Sequence, residues 1–139
     1  MSEENKAIVR RYIEEGLNQR NLQVFDEILA LDFGNHSPRL GVVDRDATLQ
    51  NFAQILKALP DRRSTIDDII AEGDKVFVRA SVQGTHQDEI QGIPVAPTGK
   101  LINWEIWEMF RCSGGKIVER WAIHNMGEQF TSTQSTRFW

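Results

Sequence analysis

The chain has 139 residues, 40% of them hydrophobic and 26% charged, and a formal net charge of -4. This size and balance suit one globular core. They exclude a disordered chain, and no apolar run approaches the ~20 residues that cross a bilayer, so no membrane partner is expected. Acidic and basic residues are mixed along the whole length, so no basic stripe could neutralise a phosphate backbone and nucleic acid is not expected as a partner.

The N-terminus, Met1-Ser2-Glu3-Glu4-Asn5-Lys6, lacks the charged-then-apolar pattern of a secretion signal, and a cytoplasmic location is expected. From Glu3 to Leu17 the residues Ala7, Ile8, Tyr12, Ile13 and Leu17 recur at helical spacing behind Ser2 as a cap, which predicts a first helix. Leu22, Phe25, Ile28 and Leu29 mark a short second helix, so the two form a hairpin. Asp32 to Pro38 has turn residues and no period, and a loop is predicted there. A third helix starts at Asp44, shows Leu49, Phe52, Ala53, Leu56 and Leu59, and is stopped by Pro60.

From Arg62 the pattern changes to alternation. Ile66 and Ile69-Ile70 sit in a first strand. Gly73-Asp74 turns into a second strand, Lys75 to His86, with Val76, Val78, Ala80 and Val82 on one face. Gln87 to Gly99 is a longer connection, and Leu101 to Cys112 pairs with Lys116 to Asn125 in a second hairpin. The expected fold class is therefore α+β, a single domain over 1–139 with 131–139 as a C-terminal tail.

If Gly114-Gly115 is a two-residue turn, Ser113 faces Lys116 and one sheet face collects Trp104, Ile106, Glu108, Phe110, Cys112, Ile117, Glu119, Trp121, Ile123 and Asn125. This face is expected to curve around the helices and a cavity. The other carries Trp107, Met109, Val118 and Ala122, expected as an outer patch pairing two subunits into a homodimer. Cys112, the single cysteine, reads as a small buried apolar residue and not as a nucleophile.

No phosphate-binding glycine loop, zinc-ligand spacing or nucleophile elbow occurs, and His86-Gln87-Asp88-Glu89 lacks further ligands, so no metal is expected. What remains is polar groups on an apolar background. Glu108 among aromatic walls would be desolvated and suited to proton transfer; alternatively it flanks the turn and reaches solvent. His36 is either an acid/base group or a loop cap. Trp104 and Trp121 are either pocket walls or plain core, with Tyr12, Phe52 and Ile123 as further lining.

The order Asn35-His36-Ser37-Pro38, Ile69-Ile70-Ala71-Glu72-Gly73-Asp74-Lys75-Val76, Gly84-Thr85-His86 with Gly92-Ile93-Pro94, and Gly115-Lys116-Ile117-Val118-Glu119-Arg120-Trp121 resembles the SnoaL-like polyketide cyclases of the nuclear-transport-factor-2-like superfamily, over about residues 5 to 130. The resemblance implies a cone-shaped α+β barrel, with three N-terminal helices packed in a strongly curved mixed or antiparallel sheet, and usually a dimer joined through the sheets. It also implies a pocket for a small hydrophobic molecule and an intramolecular aldol condensation without cofactor or metal. The family's acid/base is an aspartate on the last strand, a few residues after the tryptophan. Here the matching position is Asn125, which can hydrogen-bond but cannot take a proton. His36 and His86 are then the expected acid/base groups, with Asn125 as a donor to a substrate oxygen. His124, on the opposite face, would replace the aspartate only if the strand bulges. A non-catalytic binding or dimerisation module on the same fold is the alternative.

Overall fold

The computed structural model describes residues 2–37, 41–90, 93 and 95–126; the expected tail at 131–139 lies outside the described residues. Helix α1 (Ser2–Arg10) runs directly into a π-helical segment (Arg11–Asn18), together covering the predicted first helix. The wider winding shows at its end, where the Gln19 N–H donates to the Glu14 carbonyl five residues back at 3.1 Å. The buried face carries Val9, Tyr12, Ile13, Gly16 and Leu17. A Cβ at Gly16 would lie 2.4 Å from Phe25 Cζ, so glycine is what lets α2 (Val24–Ile28) close against the π segment. Arg20, in the turn between them, has φ 58, a left-handed conformation that costs a non-glycine residue roughly 1–2 kcal/mol. Its guanidinium offsets this by donating to the Asn18 and Leu59 carbonyls, each at 3.1 Å, which ties the hairpin to the end of α3 (Arg45–Ala58). Asp44 caps α3 as the sequence indicates, accepting the Ala47 N–H at 2.9 Å. Thr48, Phe52, Leu56 and Ala58 are its buried residues, while Ala53 faces out.

The segment predicted as a loop is a strand. β1 (Leu29–Ser37) pairs antiparallel with the short β2 (Gly41–Asp44) and parallel with β6 (Lys116–His124). Its turn-forming residues hide it in the sequence, because ladder hydrogen bonds on both sides hold it and only Phe33 and Asn35 near its end point into the core. β3 (Arg63–Glu72), β4 (Lys75–Thr85) and β5 (Leu101–Ser113) complete one mixed six-stranded sheet in the order β2-β1-β6-β5-β4-β3. The helices fill its concave side. Val76, Val78, Ala80 and Val82 of β4 are buried there together, as their alternation predicts.

The turn of the last hairpin is as expected: Gly114 and Gly115 have φ 59 and 78, and Ser113 faces Lys116. The register then shifts. Cys112 faces Ile117 but Arg111 faces Glu119, leaving Val118 as an extra residue on β6. One inserted residue reverses the facing of everything beyond it. Arg120, Ala122 and His124 therefore share the inner face with Phe110, Glu108 and Ile106, and Glu119, Trp121 and Ile123 join Arg111, Met109 and Trp107 outside. This corrects the expected faces of Trp121, Ile123, Asn125 and Ala122, which strict alternation misplaces. Among the described residues no helix is long and apolar enough to cross a membrane.

Candidate active site

Sequence reasoning places nine residues at the site, and the bulge in β6 sorts them. Tyr12, Phe52, Trp104 and Glu108 come together on the concave side. His36, Trp121 and Ile123 lie on the convex side, where the His36 ring stacks on Trp121 with centroids 4.8 Å apart and planes 6° apart. His36 Nε2 is 2.9 Å from Glu119 Oε2, and Arg111 Nε donates to the other Glu119 oxygen at 2.6 Å. These two partners hold the Glu119 carboxyl below the usual carboxylate range, the Arg111 bond being the larger cause. His36 thus belongs to an outer hydrogen-bonded network with Glu119 and Arg111.

Asn125 closes the β5–β6 ladder with its side chain: its Oδ1 accepts the Glu105 N–H at 2.8 Å. It borders a convex-side groove of about 580 Å³ lined mainly by outer-face residues such as Arg63, Ser81, Asn103 and Glu105, which Val82 and Trp104 also reach. His86 does follow the inner parity of β4 and is fully buried, but its ring holds a connection in place. The Thr98 N–H donates to His86 Nδ1 at 3.2 Å, and Thr98 Oγ1 lies 3.2 Å from the same atom. Cys112 is buried, as its place in the alternation indicates; burial first, and the Asp74 carboxylate second, push its thiol up to about 11.

The concave side holds a polar cluster that the sequence reading only half found. Glu108, 4% exposed, accepts both Arg120 Nε at 2.9 Å and Arg120 Nη2 at 2.5 Å on its Oε1. Arg120 Nη1 donates to Asn35 Oδ1 at 3.0 Å, across the parallel pairing of β1 with β6. Neither Arg120 nor Asn35 is readable from local pattern, because their meeting depends on the β6 bulge and on β1 being a strand. Both Arg120 bonds to Glu108 fall on Oε1 and neither uses Oε2. The Arg120 guanidinium carbon sits 5.9 Å from the Tyr12 ring centre, and Tyr12 packs edge-on against Phe25, Phe52 and Phe110. The Tyr12 hydroxyl is buried with no hydrogen-bond partner among the described residues. His124, brought inside by the bulge, accepts the Met126 N–H on Nδ1 at 3.3 Å, which puts the proton of the neutral ring on Nε2.

Burial raises the Tyr12 pKa well above the ordinary tyrosine value, outweighing the pull of Arg120 in the other direction. Unfolded tyrosine ionises near pH ~10 and the folded phenol only higher, so stability that is complete below that pH is lost as pH rises through and beyond it. Tyr12 is the single tyrosine, which makes the check direct. Folded protein at about pH 11 is expected to show no tyrosinate absorbance, the signal appearing only on unfolding; a tyrosinate band in protein still folded by circular dichroism would show that the phenol is not sealed from water.

A model of the SnoaL-like polyketide cyclase family matches residues 7–131. Among solved structures, AclR from Streptomyces galilaeus, a candidate hydroxylase, is 30% identical with a TM-score of 0.80, over 91% of this chain and 81% of its own. IdmH from Streptomyces antibioticus, a candidate polyketide cyclase, is 28% identical with a TM-score of 0.78, over 90% of this chain and 96% of its own. A SnoaL-like protein from Jannaschia sp. shares the fold at 19% identity and a TM-score of 0.81, over 89% of this chain and 87% of its own. A comparison with curated proteins finds no significant match. With three helices against a bent mixed sheet, a polar cluster on the concave side and a family match spanning nearly the whole chain, this protein belongs to the SnoaL-like polyketide cyclases.

Proposed function

We propose that the chain binds a small, largely apolar molecule against the concave cluster and moves a proton on it without cofactor or metal, in chemistry of the cyclase, isomerase or dehydratase type. The observation that supports this reading is the Tyr12 hydroxyl, fully buried beside charged groups and without a partner among the described residues. Native proteins rarely leave such a donor unsatisfied, so its partner is supplied by what binds there. Glu108 Oε2 is the base, on a carboxylate held in place through its other oxygen by Arg120. Tyr12 donates to the carbonyl oxygen as it becomes an enolate, in a low-dielectric setting where one such donor counts for much. Membership of a cyclase family supports the reaction class. His36 and Asn125, offered by the sequence as acid/base and donor, have no part in it because they lie outside the cluster.

The test is exchange of the carbon-bound hydrogen between the two carbonyls of an aromatic β-keto ester in deuterated water, followed by NMR. Wild type is expected to exchange it well above the buffer rate, and Glu108→Gln to fall to that rate. Full activity in Glu108→Gln would remove the base. Binding without exchange by wild type would favour the second reading, a non-catalytic binding module, for which one observation speaks: Asn125, the position that the resemblance matches to the family's aspartate, has its amide oxygen committed to the Glu105 N–H.

The convex side supports a homodimer, on a patch revised by the bulge. Trp107 and Met109 remain in it, Trp121, Ile123 and Phe77 join them around a hollow of about 430 Å³ that Ala122 still borders although it pairs on the inner face, and Val118 is the extra residue of the bulge and does not line that hollow. Trp107 stands edge-on to Phe77 at 5.8 Å, and Met109 and Ile123 are 38% and 37% exposed. Apolar groups at this density on a sheet face fit a second copy of the chain. Sedimentation is expected to give a dimer at micromolar concentration; a monomer there would discard the interface.

A further inference from the structure

The proton transfer above makes no use of Arg62, and the surroundings of Arg62 are those of a built site. It lies between α3 and β3, 8% exposed, with its guanidinium carbon 6.0 Å from the centre of the Trp104 ring. Its backbone is clamped. Arg20 reaches the Arg62 carbonyl at 3.5 Å, and Gly84 on β4 comes so close that a Cβ there would lie 3.3 Å from Arg62 Cα. Nη1 donates to Ser64 Oγ at 3.1 Å, whereas Nε is buried with no acceptor among the described residues. Burial pulls the guanidinium down to about 10, with Glu108 acting against it, so it stays charged at neutral pH.

Among the described residues the charges on this side do not balance. Two guanidiniums, Arg62 and Arg120, face one carboxylate, Glu108, and both Glu108 bonds go to Arg120. A buried cation without a counter-charge is expensive, and folded proteins almost always supply one. The Nε edge of a guanidinium is a planar donor that matches a carboxylate. The geometry points to Arg62 as the seat of a carboxylate carried by the ligand, whose apolar body lies along Trp104 toward the Tyr12 ring. This rests on the concave cluster being the binding site, and it adds the chemical class: an acid with a planar apolar body, in preference to its neutral counterpart.

The experiment compares one-, two- and three-ring aromatic carboxylic acids with their primary amides, titrated into the full-length protein at neutral pH and followed by tryptophan fluorescence and calorimetry. Wild type is expected to bind the best-fitting acid roughly tenfold or more tightly than its amide, the worth of a hydrogen bond to a charged group. Arg62→Met is expected to erase that ratio while leaving amide affinity unchanged, which also shows that the variant is folded. Equal affinity of wild type for acid and amide overturns this inference and leaves the binding site standing. So does an acid preference that survives in Arg62→Met. Binding of neither series overturns both the site and the inference. If Arg62→Met does not fold, the wild-type ratio alone decides.

Discussion

Replacing Glu108 with alanine is expected to lower stability by about 3–5 kcal/mol, a large part of what holds an ordinary domain together. The reason is less the loss of the Glu108–Arg120 attraction than what remains. Arg120, whose side chain is 12% exposed, loses the acceptor of two of its bonds, and Arg62 loses the carboxylate that faces it. Urea unfolding at neutral pH measures the loss. A double variant, Glu108→Leu with Arg120→Met, is expected to regain most of it, because removing both charges also removes both desolvation costs. A Glu108→Ala protein as stable as wild type would mean that the pair is open to water.

Tyr12→Phe is expected to behave in the opposite way. Only a hydroxyl is lost, and since that hydroxyl has no partner among the described residues, stability should hold or rise slightly while the edge-on contacts with Phe25, Phe52 and Phe110 stay. Conversion of a β-keto ester should fall by about 10²–10³, the usual effect of deleting one donor to a developing oxyanion. A purely structural tyrosine would give the reverse, lost stability with unchanged rate, so the two readouts separate the roles.

The sequence made the helices legible because each carries a long apolar period, and β3, β4 and the Gly114-Gly115 turn because alternation and glycine both mark them. β1 was hidden: Asp32, Gly34, Asn35, His36 and Ser37 are turn formers, and their strand exists through pairing with β2 and β6, which a local pattern cannot show. The site was legible in part. Glu108, Trp104, Tyr12 and Phe52 lie in elements whose phase is readable. Arg120, by contrast, follows a one-residue bulge at Val118 that leaves no composition signal, and the same bulge sends Trp121, Ile123 and Asn125 to the other face. The one signal available was conditional: a bulge would bring His124 inside, and the bulge is there. Arg62 was unreadable as a site residue because a surface arginine before a strand and a buried one look alike in sequence.

The most direct measurement is a crystal structure with an aromatic β-keto ester bound. The ligand is expected on the concave side, a carbonyl oxygen within hydrogen-bonding distance of the Tyr12 hydroxyl and the carbon between its carbonyls next to Glu108 Oε2. A ligand held instead in the convex groove beside Asn125, or against His36 and Trp121, would contradict the account.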